Sequence, residues 1–103
     1  MIAKTPKPPY YAVIFTSFRT DIDDDYAETS KRMTSLAKES EGFLGMESAR
    51  EEIGITVSYW KDVDSIMKWR MNADHQQAQK LGKEKWYKNY KVRICKVERD
   101  YEF

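Results

Sequence analysis

Cysteine and histidine occur once each, glycine four times and proline three times in a chain of 103 residues. Each scarcity excludes something. Cys95 stands alone, so no intrachain disulfide can form, which fits a reducing compartment. One His and one Cys are too few for a closed zinc site unless carboxylates supply the remaining ligands. The glycines are too scattered to cradle a phosphate, because only Gly42 and Gly45 lie close together and Gly45 falls inside a strand-like run. No nucleophile-elbow pattern is present. No apolar run approaches the ~20 residues of a membrane span. An excess of charge is missing as well. With 18 Lys+Arg against 17 Asp+Glu, the chain lacks the basic surplus of a nucleic-acid binder.

Residues 1–9 hold all three prolines and no apolar run that would serve as a signal core. They read as a mobile arm before a single domain over residues 10–103, and the whole reads as a cytoplasmic protein. A basic run (Lys83, Lys85, Lys88, Lys91, Arg93) is interrupted by Trp86, Tyr87 and Tyr90. Such a pattern can bind single strands by stacking. The more economical reading is a solvated helix end with packed rings. Aromatics are abundant instead: three Trp, seven Tyr and four Phe. A small domain has limited volume to bury so many rings, so some should face a partner subunit or a pocket.

Composition and patterning predict strands over Tyr10–Arg19, which is rich in β-branched and aromatic residues and follows Pro8-Pro9, and over Phe43–Arg50, Ile55–Trp60 and Tyr90–Tyr101. Between the first two, Asp21–Asp25 reads as an acidic helix start. Asp25 and Glu28 form a candidate capping box, Tyr26, Met33, Leu36 and Ala37 the apolar stripe, and Gly42 the stop. Asp62 is placed to cap a second helix through Ile66, Met67 and Trp69. Asn72–Asp74 suggests a break, with the helix resuming over His75–Leu81 and ending at Gly82. The order β-α-β-β-α-β is the ferredoxin-like α+β arrangement, with both helices on one face of a four-stranded antiparallel sheet. Yet the first strand is apolar on both faces: Tyr10, Ala12, Ile14 and Phe18 on one, Tyr11, Val13 and Phe15 on the other. The face without helices needs a cover, and a second copy of the chain provides it as a homodimer.

Chemistry concentrates around the second helix. His75 is the only side chain whose ordinary pKa lies near neutrality. It suits a base that takes a proton from an acidic phenol or enol, or a ligand to haem iron; it also suits a plain capping residue at a helix break. Trp69 and Trp60 read as pocket wall or as core.

The segments VIFTSFRT, KRM, GFLGMESAR and GITVSYW, then Trp69, His75 and AQKLGKEKWY, resemble the antibiotic-biosynthesis-monooxygenase domain family over about Tyr10 to Tyr101. The resemblance implies a ferredoxin-like subunit whose sheet packs on that of a twin, forming a dimeric α/β barrel. Some members oxidise phenolic or quinol-type aromatics with O2 and no cofactor; others bind and degrade haem; many have no known activity. The first group implies His75 and Trp69 as catalytic residues and Tyr59 and Trp60 as pocket wall. Arg19 or Arg93 would stabilise an oxyanion, and a small aromatic would be the ligand. The haem degraders combine a first-strand Asn, a helix Trp and a His ten residues later. Trp69 matches, but the only asparagines are Asn72 and Asn89, and Gln79 stands where the His would be. Haem is therefore the lesser alternative, beside a non-enzymatic binding module.

Overall fold

The computed structural model describes all 103 residues. Its strands are β1 (Tyr10–Arg19), β2 (Phe43–Arg50), β3 (Ile53–Trp60) and β4 (Tyr87–Val97). Its helices are α1 (Tyr26–Glu39), α2 (Val63–Met71) and α3 (Ala73–Leu81), the last running into a π-helical turn over Gly82–Trp86. The sheet order is β2-β3-β1-β4 with every pairing antiparallel, which is the expected ferredoxin-like α+β topology. No helix is long and apolar enough to cross a membrane.

Local chemistry accounts for most boundaries. The Asp62 side chain accepts from Ser65 N at 2.8 Å and starts α2 as anticipated. The break at Asn72 is also present. Asn72 ends α2 with an extended ψ of 129°, and its side chain caps α3 by accepting from Asp74 N and His75 N. The capping box at α1 does not form. Asp25 adopts a left-handed φ of 59° and its side chain makes no cap bond, so its backbone carbonyl alone receives Thr29 N, at 3.0 Å. Gly42, at φ 83°, follows the end of α1 as expected. Gly82 does not stop α3. It stays right-handed at φ −59°, and the wider π turn carries the helix on to Trp86. The last strand therefore begins at Tyr87 rather than Tyr90 and ends at Val97. The third begins two residues earlier than anticipated, at Ile53.

The two faces of the sheet differ. The helices cover the face carrying Val13, Phe15, Thr56, Ser58, Trp60 and Tyr90. Few side chains are buried: Tyr10, Ala12, Ala37, Trp60, Ile66 and Trp86 among the apolar ones, with Ser17 and Ser65. Both buried tryptophans satisfy their indole N–H, Trp60 on Ser58 Oγ and Trp86 on the Asp24 carbonyl, each at 2.9 Å. The layers do not close fully because β3 contributes Gly54, Thr56 and Ser58 at successive helix-facing positions. These are short side chains where a packed core would hold large ones.

The opposite face carries Ile14, Phe18, Ile53 and Ile55, of which the last three are 43, 42 and 42% exposed. The N-terminal arm, expected to be mobile, touches one end of this face. Ala3 N donates to Glu47 Oε2 at 2.9 Å, and the Thr5 hydroxyl donates to Tyr10 at 3.0 Å.

Two substitutions separate cap from core. Asp62→Ala is expected to cost about 1 kcal/mol, the usual value of an N-cap. Trp60→Ala is expected to cost about 3–5 kcal/mol, as for a fully buried large ring. Urea unfolding of the two variants at one temperature should show that ranking.

Candidate functional site

The unclosed space between helices and sheet is a cavity of about 580 Å3. That volume lies within the range of small-molecule sites. Two strand irregularities shape it. Alternation alone would turn Phe43 and Tyr87 away from the helices. A register shift between Phe43 and Gly45 pairs Phe43 with Trp60, and another between Phe18 and Arg19 pairs Arg19 with Tyr87. Each bulge brings one more ring into the lining.

At one end, three rings form a column. Trp60, without exposed surface, receives Phe43 edge-on at 5.3 Å between ring centres. Trp69 of α2 stacks on Trp60 at 6.3 Å and 27°. His75 stacks on Trp69 at 4.3 Å and 15°. The Asn72 break makes this possible, because it folds the first turn of α3 back over the last turn of α2. His75 Nδ1 then lies 3.1 Å from the Trp69 carbonyl oxygen. A carbonyl only accepts, so Nδ1 carries the proton and Nε2 keeps a free lone pair. Burial holds the His75 pKa below its ordinary 6.5, against the raising effect of the Trp69 hydrogen bond and with help from the Arg70 charge. The result is a neutral, oriented imidazole in the cavity wall. One turn on, the Gln79 amide sits 3.5 Å from Nδ1.

The other end is built from Tyr26, Tyr87 and Arg50. The Tyr87 hydroxyl donates to that of Tyr26 at 3.4 Å, and burial raises the Tyr87 pKa first, that hydrogen bond second. Gly82 makes room for this ring, since a Cβ there would lie 2.9 Å from it.

Of the residues anticipated from sequence, Trp60, Trp69 and His75 come together. Tyr59 does not join them, because adjacent strand residues point to opposite faces. It packs edge-on against Tyr10 at 5.9 Å, and its hydroxyl donates to Glu47 Oε1 at 2.6 Å. Burial and that carboxylate push its pKa up to about 12. Arg93 pairs with Ile14 and shares that outer face. Arg19 lies beside the cavity but is engaged elsewhere. Its guanidinium sits 3.4 Å over the Tyr26 ring, and it bonds Asp23 and the Ile22 carbonyl at 2.9 Å each. Sequence reasoning missed Arg50, Phe43, Tyr26 and Tyr87 as lining residues. Gly54, Thr56 and Ser58 were a readable sign of a hollow, but the bulges left no sign.

No group of three or more His, Cys, Asp or Glu side chains is placed to hold a metal ion. Haem would find one imidazole, His75, with a free Nε2. Its neighbour at the second expected position is the amide of Gln79, and β1 offers no Asn. The residues present do not match that pattern.

Several known proteins share this architecture. Rv0793 from Mycobacterium tuberculosis superposes with a TM-score of 0.79 at 9% identity, over 90% of this chain and 99% of that one. SnoaB, described as a cofactor-independent oxygenase from Streptomyces nogalater, gives 0.76 at 8% identity, over 90% and 97%. At such identities the likeness concerns the fold. In sequence, the uncharacterised protein YqjZ of Bacillus subtilis (strain 168) is 52% identical over 100 residues, covering 95% of this chain and 88% of its own length. The family described as monooxygenase af470-like matches residues 19–96, a span from the end of β1 through most of β4 that includes the whole Trp60–Trp69–His75 column, and the chain belongs to that family.

Proposed function

We propose that this protein is a cofactor-independent monooxygenase that oxidises a small electron-rich aromatic, of phenol, quinol or anthrone type, with O2. The observation that carries the reading is His75: neutral, tautomerically oriented and set in the wall of an aromatic-lined cavity. Family membership and the fold shared with an oxygenase support it.

Dioxygen reacts readily only with an electron-rich centre, so the protein's task is to make one in a dry pocket. His75 Nε2 takes a proton from the acidic carbon or hydroxyl of the substrate, and the resulting anion delocalises into its ring. Electron transfer to O2 and recombination form a carbon-bound peroxide. The imidazolium returns its proton as the O–O bond breaks. In an anthrone the carbon loses both hydrogens and gains one oxygen, while the other oxygen leaves as water with those hydrogens. Trp69 and Trp60 hold the ring and exclude solvent.

The sheet's outer face supports a homodimer, with a second copy covering Phe18, Ile53 and Ile55. Sedimentation at micromolar concentration should give twice the chain mass; monomer alone would remove the dimer.

Oxygen uptake with a panel of quinols and anthrones tests the activity. Uptake by the wild type is expected, with His75→Ala lowering kcat by about 10²–10⁴-fold, the usual contribution of general base catalysis. A haemin Soret shift lost in His75→Ala, without oxygen uptake, would replace this reading with haem binding.

The depressed pKa also has a stability consequence. Between the folded value and the unfolded 6.5, the unfolded chain binds a proton that the folded chain does not. Stability is therefore full above about pH 6.5 and falls with pH through that window, levelling below the folded pKa. NMR titration of the single imidazole should give a midpoint below 6.5, and His75→Gln should remove this component of the decline.

A further inference from the structure

The chain has 17 Asp and Glu residues, yet none of them lines the cavity. The side chains of fixed charge that do are Arg50, Arg70 and Lys83, all cations. None of the three belongs to an ion pair; those present are Arg19–Asp23, Arg32–Asp74 and Lys68–Glu41. A cleft lined by one sign of charge, between low-dielectric walls, concentrates ligands of the other sign.

Arg50 is the most firmly held of the three. Its guanidinium donates to Ser17 twice, to the backbone carbonyl at 3.4 Å and to Oγ. Ser17 itself is 1% exposed, so the anchor is rigid. Gly54 faces Arg50 in the β2–β3 register, and a Cβ there would lie 2.1 Å from Arg50 Cζ. Glycine thus leaves the slot that the guanidinium occupies. An arginine has five N–H donors in a planar fork. Two are spent on Ser17, which leaves three for a ligand. Arg50 stands seven residues along β2 from Phe43, roughly 23 Å at the strand rise. Arg50 is therefore remote from the His75 column, beside which Arg70 stands.

We propose that the cavity takes an elongated aromatic acid, with a carboxylate gripped by Arg50 and the oxidisable ring at the Trp69–His75 end. This rests on the cavity being the substrate pocket of the proposed oxygenase. Guanidinium and carboxylate match in planar, two-point geometry, and a charge-assisted pair is roughly twice as strong as a neutral hydrogen bond. Lys83, two turns after His75 along α3 and its π extension, and Arg70 add to the attractive field without a fixed partner.

The probe is 8-(9-anthracenyl)octanoate, whose chain lets the carboxylate reach Arg50 with the ring toward the Trp69–His75 end, compared with its primary amide by calorimetry at pH 7. The amide keeps the size and loses the charge. The wild type should bind the acid at least tenfold more tightly. Arg50→Met should bring the two affinities within about twofold by weakening the acid far more than the amide, and Arg50→Lys should keep part of the preference. Equal wild-type affinities, or a preference that survives Arg50→Met, would overturn the proposal. So would an equal weakening of both ligands in Arg50→Met, which would mark Arg50 as structural. Oxygen uptake reports separately. A preference for the acid without oxygen consumption keeps the anion site and removes the oxygenase; consumption of neutral anthrones without that preference does the reverse.

Discussion

Burial of one indole, Trp60, underlies much of the rest. It has no exposed surface, and its N–H is satisfied within its own strand by Ser58. Phe43 meets it edge-on and Trp69 stacks on it, and Trp69 in turn supports His75. Aromatic contacts of this kind each contribute about 0.5–1.5 kcal/mol beyond area burial. They also transmit position. The last ring of β3 sets where α2 lies, and α2 sets where the imidazole lies. A residue with no contact to solvent thereby fixes the geometry of an imidazole in the cavity wall.

Against that rigid end, the middle of the domain is left hollow. Packed interiors normally fill such space. Here Gly54, Thr56 and Ser58 forgo the volume that large residues would have supplied, and two bulges turn Phe43 and Tyr87 inward to line what remains. The hollow differs at its two ends. One end holds a neutral imidazole among rings with Arg70 beside it; the other holds the Arg50 guanidinium without a carboxylate.

The resemblance read in the sequence and the monooxygenase af470-like match agree on the family. The fold was legible because it depends on local signals. Short runs rich in β-branched and aromatic residues marked the strands, and Asp62 and Asn72 are caps whose side chains act within three residues. Asp25 misled because its carboxylate has the right type but sits on a left-handed backbone that turns it from the helix N–H groups. Gly82 misled because a glycine that usually permits a stop here admits the Tyr87 ring.

Sequence by itself determined the α+β class, the strand order along the chain, the helix break before His75 and the nearness of Trp69 to that histidine. It did so because hydrophobic period and capping are short-range. Tertiary structure decided which neighbours share the cavity. It placed Trp60 inside and Tyr59 outside, moved Arg93 to the far face, occupied Arg19 with Asp23 and Tyr26, and brought Arg50 to the pocket from the end of β2. Those assignments follow from register and bulges, which arise only when distant strands pair, and a one-residue slip in pairing reverses the face of every side chain beyond it.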